Sequence, residues 1–247
     1  MLVGWNDRKI GNVYDLTAAL RDHDPNDQVK LMIQRDGLTF GIIGLTDLVP
    51  DTVDGVVVDD YVVAGDEYIS NLKTQVDMII LLVNSDRSTY KNLPSIFPDA
   101  DLIYTSGSTT LTRPMMTQEE NGPFVFSSGR EGRYLNLVNV SLVNKNDLMI
   151  NKSYFEEKIK YVSRRIDRYI DKDPTISLET LYADQPSILS AIKDSQKEIK
   201  RMQGWLERAE NIVEFQNLAM DASIKDDPTM FNFVNHTLEK CSDLKVQ

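Results

Sequence analysis

The sequence predicts an α/β fold that is followed by an all-helical C-terminal tail, and three patterns indicate it. Two unbroken apolar runs, in residues 77–83 and 101–104, each lead directly into a short polar loop. Such runs are typical of parallel strands in a sheet that is covered on both faces. Residues 134–143 alternate apolar and polar side chains, which predicts an antiparallel strand with one solvated face. From 148 onward, apolar residues recur at helical spacing.

Composition and charge exclude several classes of function. The 247 residues have a formal net charge of -11 and no basic stripe, which argues against a nucleic-acid partner. No apolar run approaches the roughly 20 residues that span a bilayer. A single cysteine, Cys241, excludes an internal disulfide and a cysteine-based metal cluster, and we expect it to be buried as a small hydrophobic residue. Only His23 and His236 offer imidazoles, and neither lies in a motif.

We divide the chain into three regions: 1–37, 38–147 and 148–247. The first reads as strand, helix and strand, with the helix capped by Asn12 or Asp15 and a turn at Asp36-Gly37. In the second, before the apolar runs, we predict strands over 39–45 and 55–63 and a helix over 66–76. After these runs we predict strands over 124–126 and 134–143 as a closing hairpin.

The third region is predicted to contain only helices. The first spans 153–169, and the second begins after Pro186. A seven-residue seam in the second joins Ile192, Ile199, Leu206 and Val213; we interpret it, with Trp205, as core packing, and a partner helix is the alternative. The last helix begins at Asp227-Pro228. Its apolar residues should face inward, namely Phe231, Val234, Leu238 and Cys241.

Four segments between Arg35 and Val143 occur in an order that matches a known family. Residues 35–46 match a strand before a central loop, and 77–86 match a strand and loop that normally present a histidine. Residues 98–110 match an "Asp-Leu-Ile-Ile-Gly-Gly-His-x-His" segment, and 124–140 match a closing "Gly-x-x-Gly-Lys-Tyr-Leu-Gly" hairpin. In this order the chain resembles the metallophosphoesterase domain of the bacterial 5'-nucleotidase and UDP-sugar hydrolase family. The resemblance implies a partial metallophosphoesterase-like β-sandwich with flanking helices.

The resemblance also implies where a site should be. The family binds two divalent metals through aspartate, asparagine and histidine, but Asn84, Ser108 and Thr110 stand at three of its histidine positions. Its first "Asp-x-His" strand has no counterpart, and the loop at Gly11 to Asp15 keeps only the asparagine. The resemblance therefore implies a degenerate site without catalytic residues, metal or other cofactor. Its positions are Asn12, Asn84, Asp86, Gly107, Ser108 and Thr110.

Three functions remain open at this point. The first is a non-catalytic structural or interaction protein whose open sheet edge or helical tail is covered by a partner chain or by self-association. The second is a divergent metal-dependent phosphohydrolase that uses magnesium or manganese and oxygen ligands. Its oxygen ligands would converge on Asn84 and Ser108, for instance the carboxylates of Asp47 and Asp86 and the amide of Asn12. The third is a PDZ-like peptide binder, because residues 1–37 resemble the second half of a PDZ domain, although its carboxylate-binding loop is absent.

Several other polar residues can be interpreted either as ligands of a site or as ordinary turn and surface residues. The backbone N–H groups of the loop around Gly107 offer a cradle for a phosphate, but the loop lacks the lysine and the fixed spacing of a P-loop. Arg87 and Arg113 flank the two loops as anion ligands or as plain surface residues. Asp36 and Asp47 are carboxylate ligands or ordinary turn residues, and aspartate before glycine or at a strand end is typical of turns. The resemblance implies a periplasmic or secreted location, whereas the first residues show no signal-peptide pattern.

Overall fold

The computed structural model describes residues 2–5, 8–9, 18, 31–48, 59–107, 109–116, 118, 122–145 and 147–243. These residues form a mixed α/β structure with two β-sheets and helices packed against them. The predicted α/β class is confirmed. Apart from Ala18, which is helical, the predicted helix at 12–21 lies outside the described residues, as do the positions Asn12, His23 and Ser108.

The larger sheet has the spatial order β2-β1-β3-β4-β5-β6-β7. Strands β1 to β4 pair antiparallel, whereas β4, β5, β6 and β7 pair parallel. The predicted strands at the two apolar runs are confirmed as β5 and β6. The bounds are β1 Leu2–Trp5, β2 Arg8–Lys9, β3 Leu31–Arg35, β4 Leu38–Thr46, β5 Met78–Asn84, β6 Leu102–Ser106 and β7 Phe124–Phe126.

The predicted turn at Asp36-Gly37 is confirmed, and it joins β3 to β4. Both residues have positive φ, 53° at Asp36 and 86° at Gly37. Two successive positive φ values are what a two-residue hairpin turn of type I′ requires, and Asp-Gly is a preferred pair for it.

Helices cover one face of the parallel strands. Helix α1 spans Tyr61–Leu72, and α2 spans Leu93–Ile96 after a 3₁₀ turn at Tyr90–Asn92. Asp60 caps α1 by accepting the backbone N–H groups of residues 62 and 63. The helix thus begins earlier than the predicted 66–76, because this cap precedes it. The strand predicted over 55–63 is wrong at 61–63, which are helical, and 55–58 lie outside the described residues.

Alternate side chains of β5 bury in two different cores. Ile79, Leu81 and Val83 join the core beneath α1 and α2. Met78 points the other way and packs with residues of the smaller sheet. Leu82 is the exception, since 48% of it is exposed. The larger sheet is therefore covered on both faces along most of β5, as the unbroken apolar run predicts.

The smaller sheet has the order β8-β10-β9, with β10 antiparallel to β8 and parallel to β9. Its strands are β8 Tyr134–Ser141, β9 Met149–Asn151 and β10 Asn211–Ala219. Val213 and Phe215 of β10 pack against Phe126 and its neighbours in the larger sheet. The predicted hairpin of 124–126 with 134–143 is wrong, because β7 and β8 belong to different sheets.

The prediction of an all-helical tail over 148–247 is also wrong, because β9 and β10 lie within it. The predicted boundary at 147/148 falls between two strands of one sheet. Helices α3 Lys152–Ile170 and α5 Pro186–Arg208 are confirmed, with α4 Leu178–Leu181 between them. In the described part of the chain, no helix combines the length and apolar character needed to cross a membrane.

The last helix, α6 Pro228–Asp243, is confirmed together with its cap, since Asp227 accepts the N–H of Met230 at 2.9 Å. Its predicted burial is wrong. Phe231, Val234 and Leu238 are 50%, 43% and 61% exposed, and Cys241 is exposed as well. The amphipathic pattern is real, but the apolar face of α6 does not pack on the rest of the described chain.

Candidate functional site at the strand ends

Three neighbouring parallel strands end in register at Thr46, Asn84 and Ser106. The Nδ2 of Asn84 donates to the Oγ1 of Thr46 at 3.3 Å, and its Oδ1 accepts from the Oγ of Ser106 at 3.1 Å. The half-buried Asn84 thus uses both polar atoms of its amide to bind the two adjacent strands. A row of side-chain hydrogen bonds ties the carboxyl ends of β4, β5 and β6 together.

Gly107 brings the loop after β6 against the loop after β5. Its φ is 81°, and a Cβ built on it would lie 2.5 Å from the carbonyl oxygen of Ser85 and 3.2 Å from the Oδ1 of Asn84. Only glycine fits this backbone conformation at such close approach. Gly107 therefore packs the two loops together.

Asp86 is exposed and belongs to a turn. Its Oδ1 accepts the backbone N–H of Ser88 at 2.8 Å. Hydrogen bonds from the backbone and side chain of Ser88 lower the pKa of the Asp86 carboxyl below its usual range. This is the Asx-turn geometry that aspartate adopts after strands.

The other predicted carboxylates do not join Asp86. Asp47 is exposed just after β4, whereas Asp36 lies in the hairpin at the opposite end of that strand. Burial and, secondly, the charge of Asp47 raise the pKa of Tyr61 on α1. Among the described residues, no three histidine, cysteine, aspartate or glutamate side chains come together as a metal site.

The sequence reasoning missed Thr112, which fixes the loop between β6 and β7. It is 1% exposed, and its Oγ1 accepts the N–H of Ser127 at 2.9 Å and hydrogen-bonds the hydroxyl of Tyr90 at 2.9 Å. Its carbonyl accepts the Nδ2 of Asn217 on β10 at 2.7 Å. Burial, partly offset by the Thr112 hydrogen bond, raises the pKa of Tyr90. Lone hydroxyls and amides in irregular segments have no periodicity, so no sequence signal marks these partners.

The remaining predicted residues lie around this network. Thr110 is half-buried beside Leu111, which forms an isolated bridge with Ser128. Arg87 and Arg113 are exposed. The described polar groups at the strand ends chiefly bind one another, and this arrangement holds three strands and their loops in place.

Comparison with solved structures yields a distant likeness, whereas the other comparisons find no match. The chain matches no protein-family model and no curated protein. A crystal structure of a hypothetical protein from Thermus thermophilus aligns with 42% of this chain at 12% identity and a TM-score of 0.30. The alignment spans 39% of that protein's own length. A TM-score of 0.30 assigns neither a fold nor a function.

Proposed function

We propose that this chain is a non-catalytic, metallophosphoesterase-like protein that acts as an interaction module. The observation that carries the proposal is the apolar face of α6. Met230, Phe231, Val234 and Leu238 lie on one side of this helix and are 60%, 50%, 43% and 61% exposed. Contiguous exposed apolar surface of this kind marks interaction sites in soluble proteins.

The position of α6 supports the same proposal. Residues 222–241 are all exposed, so the helix contributes little to the core of this chain. A 16-residue helix is marginal in water without tertiary packing. A surface that binds its apolar side would stabilise it. Phe231, Val234 and Leu238 have the i, i+3 and i+7 spacing with which amphipathic helices enter hydrophobic grooves.

The strand-end loops support the non-catalytic part of the proposal. The resemblance places Asn84 at a position where the family has a metal-binding histidine. The amide of Asn84 binds Thr46 and Ser106 instead. The carboxylate of Asp86 likewise accepts a hydrogen bond within a turn. These side chains hold the loops in place, and we propose that the former site now serves as architecture.

Self-association is the simplest form of this function, and it can be measured directly. We expect the purified chain to form a concentration-dependent dimer in sedimentation equilibrium, and Phe231→Glu to weaken that dimer at least tenfold by placing a charge in the apolar face. Asn232→Glu is the matched control, because it adds the same charge to the exposed opposite side of α6 and should dimerise as the wild type does. A wild-type chain that stays monomeric, or equal effects of both substitutions, would contradict self-association.

The non-catalytic part has a separate test. Metal content after purification and hydrolysis of p-nitrophenyl phosphate with added manganese should both stay at background. Two bound metals per chain together with manganese-dependent turnover would establish the phosphohydrolase alternative instead.

A further inference from the structure

A small pocket lies between the edge strand β7 and helices α3 and α5, away from the strand-end loops. Its volume is about 140 Å³. An engineered apolar cavity of about 150 Å³ holds one benzene molecule, so this pocket has room for a single ring. The sequence predicts Trp205 as a residue of the packed core. In the structure Trp205 is half-buried and forms part of the pocket wall.

Two side-chain amides in this pocket have their orientation fixed by the backbone. The Oδ1 of Asn151 accepts the N–H of Tyr154 at 3.0 Å and thereby caps α3. The Oε1 of Gln118 accepts the N–H of Val125, on the edge strand, at 2.6 Å. Because each oxygen is held in this way, each NH₂ group is the free end of its amide.

These two NH₂ groups are buried. Asn151 is only 5% exposed, and its Nδ2 donates to no atom of the described residues. The Nε2 of Gln118 is also buried, and it too donates to no atom of the described residues. A buried donor without an acceptor costs about 1–3 kcal/mol, and native proteins keep few of them. Both donors belong to residues that line one pocket, and this favours a ligand that supplies acceptors.

The walls and the charges of the pocket define the rest of that ligand. Phe155 and Trp205 meet edge to face with centroids 5.4 Å apart, and Met202 adds an apolar surface. The Arg201 guanidinium stacks on Trp205 at 5.1 Å. Lys158 lies 3.8 Å from Glu198, so two cations and one carboxylate border the pocket. Donors, an excess of positive charge and aromatic walls favour a planar acid.

We propose that this pocket binds a small aromatic carboxylate. The carboxylate oxygens accept from the Nδ2 of Asn151 and the Nε2 of Gln118, and the ring packs among Phe155, Met202 and Trp205. The field of Arg201 and Lys158 favours the anion. The proposal is independent of whether the chain self-associates through α6 or has lost phosphoesterase activity.

Benzoate is the probe, and the test exchanges donors for acceptors without removing the helix cap. Titration of ¹⁵N-labelled protein with benzoate at pH 8 should shift the side-chain amide signals of Asn151 and Gln118 in a saturable way. Asn151→Asp keeps the capping oxygen but replaces the NH₂ donor with an acceptor, and Gln118→Glu does the same for the Val125 hydrogen bond. Each should weaken benzoate binding at least tenfold. Gln216→Glu, an exposed position on β10, adds the same charge outside the pocket and should bind benzoate as the wild type does.

The outcomes that overturn the proposal are equally specific. Benzylamine has a similar ring and the opposite charge, so binding of benzylamine as tight as that of benzoate would contradict it. So would shifts that do not saturate, equal affinities of Asn151→Asp and Gln216→Glu, or a crystal structure with benzoate in which only water bridges the two amides. If Asn151→Asp fails to fold, Asn151→Ser keeps a capping hydroxyl and shortens the side chain, and unchanged benzoate affinity in that variant would decide against the proposal.

Discussion

At the amino ends of β5 and β6, an aspartate side chain adds one hydrogen bond to the backbone of the neighbouring strand. The Oδ2 of Asp77, just before β5, accepts the N–H of Thr39 on β4 at 2.8 Å. Asp101, just before β6, repeats this pattern with the N–H of Ile79 on β5 at 2.7 Å. The same residue type at the same place in two successive strands sets their register. This device is visible in the sequence only as an aspartate that precedes each apolar run.

Asp101 gives a pH-dependent prediction. Burial raises the pKa of this half-buried carboxyl above its usual value of about 4, although the Ile79 hydrogen bond and Lys145 act in the opposite direction. The folded chain therefore holds this proton more tightly than the unfolded chain. The stability that this proton contributes is fully present below pH of about 4 and is lost as pH rises through the raised pKa.

We expect Asp101→Asn to keep the acceptor for Ile79 and to abolish this dependence. Its unfolding free energy, measured in urea between pH 4 and 8, should increase relative to that of the wild type as pH rises. Asp101→Ala removes the acceptor and should lose about 1–3 kcal/mol at every pH. Parallel curves for the wild type and Asp101→Asn would show that Asp101 does not titrate in this way.

At the scale of elements, the packing of α1 depends on Gly65. A Cβ at this position would lie 2.5 Å from the Cε1 of Phe97 and 3.0 Å from the Cδ1 of Leu45. Phe97 is fully buried, so it has little room to move. Helix α1 can therefore approach the sheet only with glycine here.

The same substitution in two helices should have opposite effects. Gly65→Ala should destabilise the chain by about 1–3 kcal/mol because it overpacks the core. Gly204→Ala in α5 meets only the guanidinium of Arg208, at 3.8 Å, so helix propensity should stabilise the chain by about 0.5–1 kcal/mol. Urea unfolding measures both. A stabilising effect of Gly65→Ala would show that the Phe97 ring can move to make room for the added methyl group.

Most helices and strands could be predicted because the spacing of their apolar residues was clear. Strand β10 is an exception. The seven-residue seam through Ile192, Ile199 and Leu206 continues to Val213, so the helix pattern runs on into the strand. The backbone nevertheless turns extended at Ala209, the C-cap of α5. From Asn211, alternate residues bury in a period of two, and this signal competes with the seam over the same residues.

At the scale of the whole molecule, the region after α5 contains one essential and one dispensable element. Strand β10 buries Val213 and Phe215 between the sheets, whereas α6 is exposed throughout. At a concentration at which the full-length chain is monomeric, a chain that ends at Lys225 should match its melting temperature to within about 2 °C. A chain that ends at Arg208 should lose its cooperative transition and bind a hydrophobic dye, because Met78, Leu102 and Phe126 lose their cover. Circular dichroism melts compare the two, and equal melting of both chains would contradict this division.

The candidate sites were predictable to different degrees for a physical reason. The strand-end site follows from chain order, since polar loops after adjacent parallel strands meet at one edge. The pocket near Trp205 joins Gln118, Asn151 and Arg201 from distant parts of the chain. Its residues meet only through tertiary packing, and lone amides have no pattern that would single them out. The exposed face of α6 shows the same limit, because an amphipathic pattern does not specify what covers it.

The late position of β10 in the chain sets an order of folding events. Strand β8 pairs with β10 along its whole length, from Tyr134 with Ala219 to Ser141 with Ile212. During synthesis β8 emerges well before its partner, and the chain between them must close as one long loop. Helices α3 and α5 lie in that loop and pack on each other, so their local hairpin can form first and shorten the search. Once the two helices have packed, they bring β10 close to the unpaired edge of β8, and this speeds the pairing of the two strands.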